Sequence, residues 1–222
     1  MTTLRLEVVL RSPTLIGSGE GFGAVIDSDI VFDNLGLPYI PARRLKGCLK
    51  DAAEHVAEMF QMAGIPFPGS SESILLDIFG KKGIQQGSVQ FSNLTIKNYA
   101  ANREWLTYLS STYSAMMTPE SILASFCELR QQTAINKTFG IAEDASLRTS
   151  RVLKKNLRFS GILDVQKDDP DVKKALAVAC YHLRHIGTKR NRGFGEVECT
   201  LLDASTHTAV LDIQRLEELC TA

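Results

Sequence analysis

The sequence predicts an α+β fold, and three observations carry the prediction. Apolar residues alternate with polar ones in four short runs, and two longer stretches carry apolar residues at helical spacing. These segments follow one another as strand, helix, strand, strand, helix, strand.

The first run, 4–11, sets Leu4, Leu6, Val8 and Leu10 on one face of a strand. After a glycine-rich stretch, residues 43–62 place Leu45, Leu49, Ala52, Ala53, Val56 and Phe60 on one side of a helix entered through Pro41 and Ala42. Alternation returns in 88–96 and in 157–165, the second and third strands. Pro170 then opens a helix through Val172, Leu176, Ala179, Cys180 and Leu183, and 195–202 forms the fourth strand. The order βαββαβ is that of a ferredoxin-like (RRM-like) domain, four antiparallel strands with two helices on one face. The open face of such a sheet often serves as an RNA platform, but these strands lack the paired exposed aromatics that stack on bases, which leaves the loops as better candidates. Residues 98–156 are too many for a turn and are expected to be an insertion with structure of its own, with Trp105, Tyr108, Tyr113 and Phe126 as its core.

With 222 residues and 44% hydrophobic content the chain can bury one good core or two small ones, and a single domain over 1–222 is expected. It contains no run of eighteen apolar residues and begins without the basic and apolar regions of a signal peptide, so no membrane partner and a cytoplasmic location are expected. The five cysteines, Cys48, Cys127, Cys180, Cys199 and Cys220, are odd in number and contain no Cys-x-x-Cys pair. They read as small buried residues rather than a disulfide framework or zinc site. Net charge is zero, yet residues 130–158 hold seven basic residues against two acidic ones, while acids gather elsewhere. A local basic stripe on a neutral protein can hold a phosphate backbone, or simply solvate one surface.

Two glycine-and-base segments focus that possibility. Ile186-Gly-Thr-Lys-Arg-Asn-Arg-Gly-Phe-Gly195 puts Lys189, Arg190 and Arg192 among Gly187, Gly193 and Gly195, which suits a clamp around phosphates whose backbone approaches the ligand closely. A helix C-cap at Gly187 followed by an exposed basic turn is the alternative. Leu37-Pro-Tyr-Ile-Pro-Ala-Arg-Arg-Leu-Lys-Gly47 sets Arg43, Arg44 and Lys46 at the start of a helix, where cations oppose the helix dipole and favour a bound anion. Phe194 either packs beneath its loop or stacks on a base.

The two segments resemble landmarks of the RAMP superfamily of CRISPR-associated proteins, and the resemblance spans most of the chain. Gly17-Ser-Gly-Glu-Gly-Phe-Gly-Ala-Val-Ile-Asp27 is similar to the segment before the catalytic aspartate of type III backbone subunits, and Leu147-Arg-Thr-Ser-Arg151 to their central region. The resemblance implies a guide-RNA-binding subunit of a type III CRISPR antiviral interference complex. It would contact RNA through Arg43, Arg44, Lys46, Arg148, Arg151 and the glycine loop, with guide RNA, target RNA and other effector subunits as partners in a head-to-tail assembly. The insertion would carry helices and a protruding hairpin, the thumb. Asp27 takes the place of the aspartate that cuts target RNA, acting as an endoribonuclease site within the complex. It would hold Mg²⁺ or a similar divalent ion with help from Asp29 and Asp33, or orient a ribose 2′-OH. Alternatively, these acids occupy a solvated loop or cap a turn.

Ala42, Arg43 and Arg44 replace the family's usual small residues, and this version is also similar to subunits that cap the guide's 5′ end without cutting. No histidine lies between the first strand and first helix, where the related repeat-processing endonuclease has its base. His182 and His185 stand three apart on the expected second helix without an obvious third metal ligand, and receive no role. A small-molecule enzyme using residues 17–23 for a nucleotide phosphate is a remoter alternative, since neither nucleotide-binding glycine pattern occurs in the required strand-to-helix context.

Overall fold

The computed structural model describes residues 2–19, 21, 25–69, 71–81, 83–136 and 138–211. Glu20, Phe22, Gly23 and Ala24 of the glycine-rich stretch lie outside them, as do the acidic Asp212, Glu217 and Glu218 and also Cys220.

The chain runs β1 (Thr2–Leu10), β2 (Tyr39–Ile40), α1 (Ala42–Ala63), α2 (Ser71–Phe79), β3 (Gly80–Lys81), β4 (Gln85–Gln86), β5 (Val89–Phe91) and β6 (Leu94–Ile96). It continues through α3 (Tyr99–Thr112), α4 (Pro119–Phe126), β7 (Cys127–Gln132), β8 (Arg148–Leu153), β9 (Arg158–Val165), α5 (Pro170–His182), a 3₁₀ turn (Arg190–Arg192) and β10 (Val197–Asp203). The main sheet has the order β10-β1-β9-β6-β2 with β5 also on β9, and its ladders are antiparallel. This is the ferredoxin-like arrangement, with the first strand central.

Leu4, Leu6, Val8 and Leu10 are fully buried because α1 and α5 cover their face of the sheet. The facing helices contribute Leu45, Leu49, Ala53 and Leu176, Ala179, Cys180 to the same core. Burying apolar surface at about 25 cal/mol per Å² is what holds the layers together. The opposite face presents Arg5, Glu7 and Val9 beside Ser160, Ile162 and Thr200, with no aromatic pair.

The single second strand expected over 88–96 is two strands. β5 pairs Val89 with Val165 and Phe91 with Leu163, whereas β6 pairs Thr95 with Ser160, so one extra residue has entered. The resulting bulge folds over Gly161, where a Cβ would lie 2.5 Å from the Leu94 side chain and 2.9 Å from the Asn93 carbonyl. The kink has a use, since Asn93 Oδ1 accepts the Ala42 N–H at 2.8 Å and caps α1, whose own N-cap Pro41 offers no side-chain acceptor.

Residues 98–156 contain α3, α4 and the β7–β8 hairpin. The expected aromatic core of this segment is absent. Trp105 is 67% exposed, and Tyr108 and Tyr113 are exposed as well. α3 buries none of its residues, while Phe126 is partly buried and Ile122 and Leu123 are buried from α4, so the segment leans on the main core rather than closing one of its own. Cys127, Cys180 and Cys199 are buried and Cys48 is half-buried, as free thiols. Among the described residues no helix is long and apolar enough to cross a membrane.

Candidate nucleic-acid interface

α5 ends at His182, so Gly187 is not its C-cap and His185 is not on the helix; His185 bridges Glu196 instead. The glycine loop that follows is held from beneath. Thr188 bridges Leu15, Gly195 N–H donates to Pro13 O at 2.9 Å, and Ile186 N–H donates to Gly195 O at 2.8 Å. Gly187 and Gly195 have φ of 82° and 79°, and a Cβ on them would lie 2.4 Å from Leu15 O and 2.0 Å from Ile186 O. These two glycines serve the loop's packing on its own protein, whereas the Cα of Gly193 faces open space at φ 77°. Phe194, whose role sequence left open, packs beneath: it is 9% exposed and belongs to the core, so it is not an accessible stacking surface.

The cations face outward. His185, Gly187, Thr188, Lys189, Arg190, Asn191 and Arg192 line a concavity of about 880 Å³. Gln132, Thr133, Ala134, Ile135, Ser146 and Arg148 line a second of about 790 Å³, and Lys189 and Arg192 belong to both. Lys189 is thus the hinge of a continuous basic cleft between the glycine loop and the β7–β8 hairpin. Its Nζ donates to Gln132 Oε1 at 3.0 Å and to Ser150 Oγ at 2.8 Å. Burial and then Arg192 push its pKa down, against the pull of Asp27. Ser150 lies within the segment 147–151 that the resemblance picked out, whereas Gln132 had no signal in the sequence beyond its neighbourhood to Arg130.

The start of α1 joins this surface. Burial, and Asp51 after it, push the Cys48 thiol up in pKa, while Arg190, the Gly187 backbone and Arg44 act on it in the other direction. The two basic segments, far apart in sequence, thus both act on the Cys48 thiol. Arg44 lies one helical turn before Cys48 on that side. Lys46 is turned elsewhere, with its ammonium 5.8 Å from the centre of the Phe91 ring.

The loop carrying the aspartates runs against β8. Asp27 N–H donates to Thr149 O at 2.9 Å, Arg151 N–H donates to Ser28 O at 3.0 Å, and Ser28 bridges Ser150 in parallel. Asp27 Oδ2 accepts the Thr149 N–H at 2.7 Å and Oδ1 faces Arg148 Nη1 at 3.2 Å. The Thr149 amide first, and Arg148 second, hold this carboxyl below the usual aspartate range. Asp29 is buried and paired with Arg151, at 3.1 and 2.9 Å from Nη1 to its two oxygens. Asp33 accepts from the Leu35 and Leu37 amides, each at 2.9 Å, and from Tyr99 OH at 2.8 Å.

This donor set does not fit a Mg²⁺ ion. The hard cation needs several oxygens converging at one point, and the carboxylates of Asp27 and Asp29 are committed to separate guanidinium partners. Among the described residues no three His, Cys, Asp or Glu side chains gather as metal ligands. Asp29 is accordingly not available as a second ligand, nor Arg151 as an outward RNA contact, while each neutralises the other; Arg148 remains exposed at the cleft edge.

Fold and cleft together define a ferredoxin-like domain whose glycine loop and β7–β8 hairpin line one basic cleft. The family model for the RAMP superfamily matches residues 7–198, and the chain belongs to that superfamily. Two similar solved structures are a chain of the type III-B Cmr-beta complex bound to cognate target RNA and one of the same complex in its apo state, both determined by cryo-EM. The first is 13% identical with a TM-score of 0.64, covering 90% of this chain and 97% of that one. The second is 13% identical with a TM-score of 0.63, covering 91% and 98%. No curated protein sequence matches the chain.

Proposed function

We propose that the chain is a guide-RNA-binding subunit of a type III CRISPR interference complex. The observation that carries this reading is the convergence of Lys189, Arg190 and Arg192 on a cleft edged by Arg148. Among the described residues Arg44, Arg190 and Arg192 form no ion pair, so their charge is available to phosphate. The likeness to chains of a complex described with target RNA supports the assembly half of the reading. Such a subunit holds the guide by its backbone and leaves sequence choice to base pairing, with neighbouring subunits stacked head to tail along the RNA.

A non-cutting form of this role, such as a cap on the guide's 5′ tag, is favoured by the state of Asp27. A carboxylate that accepts the Thr149 amide, pairs with Arg148 and is lowered in pKa is a weak general base. Replacing Asp27 by Ala in the assembled complex separates the forms: unchanged target cleavage fits the non-cutting subunit, and lost cleavage with retained RNA assigns the cut to Asp27.

The RNA reading is tested by anisotropy of a labelled single-stranded RNA at several salt concentrations. Wild type should bind with a steep salt dependence, and Lys189, Arg190 and Arg192 changed together to Ala should abolish it. Equal binding by both proteins would remove the cleft from the function.

A further inference from the structure

Lys46 belongs to the same basic turn as Arg43 and Arg44 but serves a different concavity. Together with Phe79, Lys81, Gly83, Ile84, Gln85, Gln86 and Gly87 it lines a hollow of about 430 Å³ beside the β3–β4 ribbon. The ribbon is a built feature. A Cβ on Gly80 would lie 2.5 Å from Gln85 O, and one on Gly87 would lie 2.3 Å from Ile78 O, so both glycines are needed to close it. Among the described lining residues it displays two ammonium groups, two carboxamides and Ile84, which is 74% exposed, and no carboxylate. Among the described residues neither Lys46 nor Lys81 forms an ion pair. Cations without acidic partners, amides that can bond base edges, and an apolar wall are the chemistry of a nucleotide site.

The position of the hollow relates it to the glycine-loop cleft. On α1, Arg44 and Cys48 face the glycine loop, and Lys46, two residues on, points to the other flank. The ridge between them carries Gly47, exposed, with nothing within 4 Å of where its Cβ would stand. Glycine is a poor helix former and no close packing here requires it. Its effect is to leave a gap on the ridge, one turn after exposed Arg43, where a strand passing from one flank to the other would cross a helix about 10 Å across.

We propose that Lys46, with Lys81 of β3 and Gln85 and Gln86 of β4, forms a second phosphate anchor for the same RNA strand held at the glycine loop, reached across Gly47. The proposal rests on the RNA reading above. Both anchors would be engaged by a strand of about 12 nucleotides but not by one of about 4.

The test compares labelled oligouridines of those two lengths on the full chain. Lys46→Gln combined with Lys81→Gln should weaken the longer RNA about tenfold and lower its log–log salt slope by about 1.4, the share of two phosphates, while sparing the shorter. Lys189→Gln with Arg190→Gln should weaken both lengths. Lys81→Gln alone, on an exposed ribbon, should give half the slope change and covers the case in which loss of Lys46 from Phe91 harms folding. An unchanged affinity and slope for the longer RNA in the ribbon variants, with binding lost in the loop variant, overturns the second anchor and leaves the cleft standing. Wild-type behaviour in both variants, or no salt-sensitive binding by the wild-type chain, overturns both.

Discussion

Arg151 and Asp29 form a buried ion pair in which one guanidinium nitrogen, Nη1, reaches both carboxylate oxygens. The pair joins the loop after the glycine-rich stretch to β8, next to the Asp27 and Thr149 bonds. Removing one partner of such a pair leaves an uncompensated charge away from water, at a cost of about 3–5 kcal/mol. Arg151→Ala should therefore lose about that much stability in urea unfolding, and Arg148→Ala, whose pair with Asp27 is exposed, well under 1 kcal/mol. Equal losses would mean that the Asp29 pair is not buried in solution.

The loop glycines should separate by mechanism. Gly187→Ala and Gly195→Ala must both hold a left-handed φ and push a Cβ into a backbone carbonyl, so a loss above about 3 kcal/mol or failure to fold is expected. Gly193→Ala meets open space and bears only the left-handed φ, about 1 kcal/mol. Thermal melts check this ranking, since 1 kcal/mol moves Tm by about 2–4 °C in a domain of this size. Similar, small losses at all three positions would return the glycines to a ligand-approach role.

Much of the fold was legible because its strands are half-buried. Leu4 to Leu10 alternate cleanly under two helices, and Pro41 and Pro170 mark the helix starts. The bulge at Ser92 and Asn93 was hidden because alternation on each side of it looks continuous; only Gly161, on the partner strand, signals the close crossing. The aromatic residues of α3 misled for a general reason: exposed Trp105 and Tyr108 have the same identities as core residues, and composition does not say which face has a partner. At the site, the basic residues of the glycine loop could be picked out by charge and spacing. The fates of Asp29 and Arg151 could not, since they depend on a parallel contact between Ser28 and Ser150 that no local pattern encodes.

Phe194 provides a check on whether the loop stacks bases. Its ring is in the core, so Phe194→Leu should destabilise by about 1–2 kcal/mol and leave RNA affinity within about twofold, as a partial large-to-small core change does. A stable variant with affinity reduced tenfold would put the ring on the RNA instead. Anisotropy and urea unfolding on the same sample distinguish the two outcomes.

Lys189 gives the cleft a pH signature. Burial and Arg192 hold its pKa below the ordinary lysine value, so in the unbound protein it sheds its proton earlier than an exposed lysine would. A phosphate beside the ammonium favours the charged form and raises that pKa. Binding then takes up a proton between the free and bound values, and linkage fixes the sign: affinity is complete below the free value and falls as pH rises through it. The fall approaches about tenfold for each unit that phosphate raises the pKa. Lys189→Arg stays protonated throughout and should lack this fall, keeping only the change that the bases and other lysines give over the same alkaline window. A 2′-fluoro RNA, which resists alkaline cleavage, lets anisotropy follow both proteins, and the arginine variant corrects for titration of the bases. If the wild-type profile coincides with that of the variant, Lys189 does not touch phosphate, and its bonds to Gln132 and Ser150 serve only to fasten the loop to the hairpin.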